Sequence, residues 1–96
     1  MKPVRLRLEA EIELFEATLW YETEREGLGF EFDAEIHQTL TRISEGPQQF
    51  PELKRGIRRA LVDRFPYGVF FVEVGDEISV IGVIHLHRDP KTWRTR

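Results

Sequence analysis

The sequence predicts an α+β fold, in which two N-terminal helices pack on one face of an antiparallel sheet of about four strands. Three observations predict it. A short N-terminal segment alternates apolar and basic residues, two long segments repeat apolar residues every three or four positions, and three later segments are rich in β-branched and aromatic residues. The predicted order is strand, helix, helix, strand, strand, strand (βααβββ). The chain has 96 residues, and we expect residues 1–96 to form a single domain.

The first predicted strand spans residues 4–8, and the first helix follows it from residue 9 to about residue 26. This helical segment contains neither glycine nor proline, whereas Gly27 and Gly29 follow it and end the helix. Its apolar residues form two adjoining stripes, and we expect both to face the core. The stripes are Ile12, Phe15 and Leu19, and Ala10, Leu14, Ala17 and Tyr21.

The second predicted helix spans about residues 30–44, and Gly46-Pro47 ends it because proline cannot continue the hydrogen-bond ladder. Its apolar residues recur at steps of four, four and three. Because the connection to the first helix is short, the two helices are expected to form an antiparallel hairpin. The apolar stripe of this helix consists of Phe32, Ile36, Leu40 and Ile43.

The C-terminal half predicts a loop at 47–56, strands at 57–65, 67–74 and 77–86, and a polar tail at 87–96. Phe50 is expected to insert into the core from the loop. Gly75-Asp76 predicts a tight hairpin between the last two strands. The last strand is apolar on both faces, which is typical of a strand inside a sheet.

Composition and charge exclude several classes of protein. The chain contains no cysteine, so it has no disulfide framework, thiol nucleophile or thiolate metal site. The sequence lacks a long apolar segment, which predicts a cytoplasmic protein without a membrane partner. The net charge is −3, but residues 1–52 carry a net −7 and residues 53–96 a net +4. An anionic partner is therefore expected to meet the second half.

Four short segments resemble the RelE/ParE superfamily of toxins from bacterial type II toxin–antitoxin pairs. The resemblance covers almost the whole chain, and it is closer to the ParE side. The segments are Leu19-Trp20-Tyr21, Pro47-x-x-Phe50-Pro51, Phe65-Pro66-Tyr67 and His85-Leu86-His87-Arg88-Asp89-Pro90-x-x-Trp93.

A ParE-like protein is implied to inhibit DNA gyrase by binding, without chemistry of its own, and to be neutralised by a small ParD/RelB-like antitoxin. DNA would be contacted only through that antitoxin. The expected target-binding residues are Arg88, Lys91, Trp93, Arg94 and Arg96. The expected antitoxin-binding residues are Val4, Leu6 and Leu8, on a strand edge that can accept an added strand, and Trp20 and Tyr21. For Trp20 and Tyr21, core packing is the alternative.

A RelE-like reading implies instead a ribosome-dependent endoribonuclease that cuts mRNA. Lys54 and Arg55 lie about where such enzymes carry lysines, and Arg88 matches an arginine after the fourth strand. The arginine expected in the third strand falls at Gly68 and is absent, and no tyrosine follows Arg88. Cleavage would then use His85 or His87 as acid or base. A non-toxic member that acts only within an antitoxin complex is the third reading.

The two C-terminal histidines also resemble part of a metal site, because His85, His87 and Asp89 would share one face of an extended strand. The spacing is common by chance and the sequence offers no fourth ligand. We therefore expect neither a metal nor a cofactor. Arg88 and Asp89-Pro90 have a structural alternative, which is to fix the turn that leaves the last strand.

Overall fold

A five-stranded mixed sheet forms the centre of the computed structural model, which describes all 96 residues. In chain order the strands are β1 (Val4–Leu6), β2 (Glu52–Lys54), β3 (Ile57–Leu61), β4 (Tyr67–Val74) and β5 (Glu77–His85). They are arranged β1-β5-β4-β3-β2, with β1 parallel to β5 and every other pair antiparallel. The first strand thus pairs at an edge, as expected.

Two long helices, α1 (Leu8–Glu24) and α2 (Leu28–Glu45), lie on one face of the sheet, close to their predicted bounds. The turn between them is held by Glu22, whose carboxylate accepts the N–H groups of Gly27 and Gly29 at 2.9 Å each. These are backbone donors at the start of α2, where a carboxylate is favoured. No helix is both long enough and apolar enough to span a membrane.

The main core lies between α2 and the sheet, and it confirms the apolar stripe predicted for α2. Phe32, Ile36 and Ile43 are fully buried against the sheet residues Val69 and Phe71. Burial of such side chains contributes about 1.5–3 kcal/mol each. Phe50 also inserts into this core, as predicted.

The orientation predicted for α1 is wrong for one of its two stripes. Ala10 and Ala17 are buried, whereas Ile12, Phe15 and Leu19 are 47%, 63% and 50% exposed. Helix α1 packs closely against α2, so its small side chains are the ones that face inward. A Cβ added at Gly29 would lie 2.5 Å from the Thr18 carbonyl oxygen. Leu8 was predicted to end the first strand, but it begins α1 and is 68% exposed.

The second face of the sheet is covered by the segment predicted as a polar tail. After β5 the chain forms a short helix, α3 (Lys91–Arg94), and the Trp93 ring stacks on Phe70 with centroids 4.9 Å apart. Ile57, Ile81 and Ile84 complete this second apolar cluster. Burial of the Trp93 ring in this second cluster holds the C-terminal segment against the sheet.

The segment predicted as a loop at 47–56 contains one strand that the sequence analysis did not predict, β2. Its first part is a 3₁₀ turn at Pro47–Gln49, and β2 then pairs with β3 through an irregular register between Glu52 and Lys54. All three residues of β2 are exposed, so hydrophobic periodicity gives no signal for it. The next strand, β3, ends at Leu61, and Arg64 adopts a left-handed backbone with φ of 71° in the turn before β4.

Candidate functional site

A pocket of about 620 Å³ opens between α1 and the neighbouring ends of β4 and β5. Helix α1 forms one wall, the turn before β4 forms the floor, and the end of β5 with the residues after it forms the other wall. Its lining combines acids, aromatic rings and one arginine: Glu13, Glu16, Ala17, Trp20, Tyr21, Pro66, Tyr67, Val83, His85, His87 and Arg88.

Five of these side chains form a continuous series of ring contacts, here called the ring row. It runs from Trp20 to Tyr21, Tyr67, His85 and His87, with successive centroid distances of 5.1, 6.1, 5.2 and 5.1 Å. These separations are typical of interacting aromatic pairs. The ring row places two phenols and two imidazoles along the pocket, although they come from distant parts of the sequence.

Both phenols of the ring row remain protonated at neutral pH. Burial raises the pKa of Tyr21, and the proximity of Tyr67 adds to the shift. Burial also raises the pKa of Tyr67, against an opposing effect of Arg88 and with a further contribution from Glu13. The two hydroxyl groups are therefore hydrogen-bond donors for whatever enters the pocket.

The histidines lie at the end of β5 rather than on one strand face. The Nδ1 atom of His85 accepts the His87 N–H at 3.2 Å, so a neutral His85 carries its proton on Nε2. Asp89 faces away, since its carboxylate accepts the Lys91 N–H at 2.9 Å and fixes the start of α3. This arrangement supports the turn-fixing role of Asp89. The structure contains no group of three or more His, Cys, Asp or Glu that could hold a metal.

Beside the pocket, Glu13 and Arg96 cover the edge of β5 opposite β4, along the stretch that β1 does not reach. Strand β1 pairs with β5 only as far as Val80. Beyond it, Glu13 Oε1 accepts the Val83 N–H at 3.0 Å, and Arg96 Nη1 donates to the Ile81 carbonyl at 2.9 Å. Two bonds of 2.9 Å join the guanidinium and the carboxylate. We call this arrangement the edge clamp.

The outer side of α1 carries a second surface, which we call the α1 stripe: Leu8, Ile12, Phe15 and Leu19. Glu11 and Glu16 flank it. The sequence reasoning placed most of these residues in the core. The sequence does indicate which side of α1 packs closely, because Ala10 and Ala17 are small residues that lie one heptad apart on that side.

Comparison with known proteins identifies the architecture. No family model matches the chain, and no curated protein matches it. Among solved structures, a chain of the chromosomal ParDE TA system from P. aeruginosa matches with a TM-score of 0.77 and 17% sequence identity. The match covers 91% of this chain and 98% of that chain. The chain therefore has the same fold as that ParDE chain.

On this fold, the residues expected to bind a target separate into two groups. Arg88, Lys91 and Arg94 are exposed. Arg88 lines the pocket on the helix side, whereas Lys91 and Arg94 lie on α3, which packs on the second face of the sheet. Trp93 is only 8% exposed and Arg96 belongs to the edge clamp, so neither side chain is free at the surface. Trp93 fills the second face of the sheet, and the guanidinium of Arg94 lies over its ring at 5.6 Å.

The residues expected to bind an antitoxin are also divided. Trp20 is 57% exposed at the rim of the pocket, and Leu8 belongs to the α1 stripe. Val4, Leu6 and Tyr21 are half-buried against the main core. Tyr21 therefore follows the core-packing alternative in part, while it also lines the pocket.

The residues expected for a RelE-like ribonuclease are not brought together. His85, His87 and Arg88 share the pocket, whereas Lys54 lies on β2, three strands away from β5. At about 4.8 Å per strand, this separation is about 14 Å. The Nζ atom of Lys54 donates to the Arg94 carbonyl, and Arg55 follows in the turn to β3.

The arginine that a RelE-like protein would carry falls at Gly68, on β4, and the space beside Gly68 is filled by the side chain of Arg59. A Cβ added at Gly68 would lie 3.0 Å from Cδ of Arg59, which reaches across from β3 on the second face of the sheet. The pocket lies on the helix side. A guanidinium is therefore near Gly68, but on the opposite face from His85.

Proposed function

We propose that the chain is the toxin of a type II toxin–antitoxin pair, which acts in the cytoplasm and is held inactive by a small cognate antitoxin. The observation that carries this proposal is the likeness in fold to a ParDE chain over 91% of the sequence and nearly all of that chain. When free of its antitoxin, the protein inhibits DNA gyrase by binding.

Inhibition by binding, rather than cleavage, is supported by the distribution of the candidate catalytic groups. A phosphodiester transfer needs an acid, a base and a cation that stabilises the phosphorane in one place. His85, His87 and Arg88 share the pocket, but the further cations of a RelE-like set are missing from it. Lys54 and Arg55 lie across the sheet, and Gly68 takes the place of an arginine.

The surface proposed for the target is the cationic group of Arg88, Lys91 and Arg94. All three side chains are exposed, and none of them forms an ion pair within the chain. The buried Trp93 ring holds α3 against the sheet and so fixes the position of Lys91 and Arg94. A rigid cationic surface of this kind suits an acidic region of a protein partner.

The surface proposed for the antitoxin is the α1 stripe. Its four residues are spaced by four, three and four positions, the spacing of a helix–helix seam. Glu11 and Glu16 border the seam and provide charge complementarity for basic residues. The expected occupant is therefore an amphipathic helix of the antitoxin with an apolar side and basic flanks.

The test combines induction in a bacterial host with a purified assay. After tightly controlled induction, DNA and protein synthesis are followed by pulse labelling, and DNA synthesis is expected to fall first. In parallel, the purified chain at saturating concentration is expected to inhibit gyrase supercoiling or raise the level of cleavage complexes. Unchanged values of both gyrase activities would contradict the gyrase proposal.

Ribosome-dependent mRNA cleavage is the second candidate, because His85, His87, Tyr67 and Arg88 meet in one pocket. It predicts that protein synthesis falls first, and that cleavage is lost in Arg88→Gln and in a double His85→Ala/His87→Ala variant. A chain that arrests neither process yet binds its antitoxin would instead be a non-toxic member.

A further inference from the structure

We propose that the pocket along the ring row binds a guanine nucleotide, with the base against Trp20 and Glu16 and the phosphate on Arg88. The proposal does not rest on the toxin function. It rests on the placement of one uncommitted acid, one uncommitted cation and several donors around a cavity of about 620 Å³. This volume lies within the range of small-molecule sites.

The phosphate end of the pocket is formed by Arg88 and its neighbours. The Arg88 guanidinium takes part in none of the ion pairs of the chain, although it lines the pocket. The phenol of Tyr67 is close enough for Arg88 to influence its pKa. Nε2–H of His85 supplies another donor, because Nδ1 accepts the His87 N–H. A guanidinium with neutral O–H and N–H donors suits phosphate oxygens.

The base end of the pocket is formed by α1. Trp20 presents an exposed ring, and Glu16 lies one helical turn earlier on the same side of the helix. A planar base stacks favourably on such a ring. A carboxylate only accepts hydrogen bonds, so it selects a base edge with two adjacent donors. Guanine offers N1–H and the N2 amino group, whereas adenine offers only one amino group.

The charge of the pocket fits a ligand with a donor end and an anionic end. Glu13 and Arg96 neutralise each other in the edge clamp and remain engaged with β5. This leaves Glu16 as the free acid on the α1 wall and Arg88 as the free cation on the β5 wall. Tyr67, the first residue of β4, also lines the pocket. An acidic peptide would instead bring its negative side chains against Glu16, and the two would repel each other.

The test uses the fluorescence of Trp20. The chain has two tryptophans, and Trp93 is buried on the other face of the sheet, where it gives a constant background. Titration of the full chain with GMP is expected to quench the signal saturably, with calorimetry confirming the affinity. GMP is expected to bind at least about tenfold more tightly than AMP, guanosine or inorganic phosphate.

Two variants assign the two ends of the ligand. Arg88→Gln is expected to weaken GMP binding by at least about tenfold, because a charged hydrogen bond is lost. Glu16→Gln is expected to remove the preference for GMP over AMP. Matched controls are Arg5→Gln and Glu24→Gln, which change an exposed arginine and an exposed glutamate away from the pocket. Circular dichroism checks that each variant is folded.

The source of the nucleotide is distinguished by comparing free GMP with a short single-stranded oligonucleotide that ends in a guanosine phosphate. Either result supports the site, and the ligand that binds more tightly shows whether the nucleotide is free or part of a single strand. Absence of saturable quenching by both, equal affinity for GMP and AMP, or unchanged binding in Arg88→Gln and Glu16→Gln would each overturn the proposal.

Discussion

At the scale of single residues, Glu13 and Arg96 act on the backbone of β5 rather than only on each other. Each satisfies one backbone group of β5, and their side chains are only 11% and 20% exposed. The pairing also raises the pKa of Arg96, through its hydrogen bond to Glu13. Removing one member of such a partly buried pair costs more than removing one member of a surface pair, because the other charge is left without its partner.

We predict that Arg96→Met lowers the free energy of unfolding by about 2 kcal/mol, because Glu13 then lacks its cationic partner. The measurement is urea unfolding at neutral pH. The double variant Glu13→Leu/Arg96→Met should lose less than the sum of the two single variants, since the pair acts as a unit. Strictly additive losses would contradict the edge clamp.

Acid sensitivity is expected to arise at Glu31, where the Arg64 hydrogen bond lowers the pKa of the carboxyl group and Arg25 adds a smaller effect. The carboxylate has a lower pKa in the folded state than in the unfolded state. Its contribution to stability is therefore present above the unfolded-state pKa, and it is lost as the pH falls through the folded-state pKa.

We predict that Arg64→Met flattens the acid side of the stability profile, measured as the urea midpoint between neutral and strongly acidic pH. Arg25→Met is the matched control and should flatten it less, since its contact with Glu31 is 3.3 Å against 2.6 Å for Arg64. If the urea midpoint fell equally steeply with pH in the parent chain, Arg64→Met and Arg25→Met, the Glu31–Arg64 contact would not be the cause of the acid sensitivity.

At the scale of elements, the hairpin of α1 and α2 depends on a close approach at Gly29. An added Cβ would lie 2.5 Å from the Thr18 carbonyl oxygen and 2.9 Å from Glu22 Oε1. The first of these atoms belongs to the backbone of α1, so the helices would have to move apart. Their separation would also disturb the two bonds that Glu22 accepts.

We predict that Gly29→Ala lowers the free energy of unfolding by about 2 kcal/mol, an overpacking cost. Gly27→Ala is the control. It has φ of +87° and no atom within 4 Å of its added Cβ, so it should cost only about 1 kcal/mol of backbone strain. A smaller loss for Gly29→Ala than for Gly27→Ala would refute the close approach.

Sequence reasoning recovers the elements of the fold better than their orientation. The stripe of α2 is predictable because Phe32, Ile36 and Ile43 are large and lie on one side of the helix. In α1 the apolar residues surround much of the helix, so periodicity does not choose the buried side. Ala17 is buried and Phe15 exposed, an outcome set by helix–helix distance rather than by hydrophobicity.

The candidate site was predictable only in part, for a related reason. His85, His87 and Arg88 are adjacent in sequence, and their grouping in the pocket was accessible from the chain alone. The ring row also needs Tyr21 and Tyr67, whose contact depends on the packing of α1 against the sheet. Trp93 was misplaced on the surface because one aromatic residue in a polar segment gives no periodic signal.

At the scale of the whole molecule, the unequal charge of the two halves becomes an arrangement of separate surfaces. The glutamates of the first half border the α1 stripe, whereas Lys91 and Arg94 lie on α3, on the other side of the sheet. If the proposed function is right, antitoxin binding and target binding use different faces. Substitutions should therefore separate the two activities.

We predict that Phe15→Glu/Leu19→Glu leaves growth arrest intact but abolishes rescue by the co-expressed antitoxin. Both side chains are at least half exposed, so the fold tolerates the change, whereas two buried charges would prevent docking of an apolar helix. Lys91→Glu/Arg94→Glu should do the reverse. It loses arrest and gyrase inhibition through charge reversal, while still co-purifying with the antitoxin.

Ile36→Glu, at a fully buried position, serves as the unfolding control for both variants. Thermal unfolding of the two surface variants should stay close to that of the parent chain. If both variants lost arrest and antitoxin binding together while remaining folded, one shared surface would serve both partners. The antitoxin would then inhibit by direct competition for α3, rather than from the opposite side of the sheet.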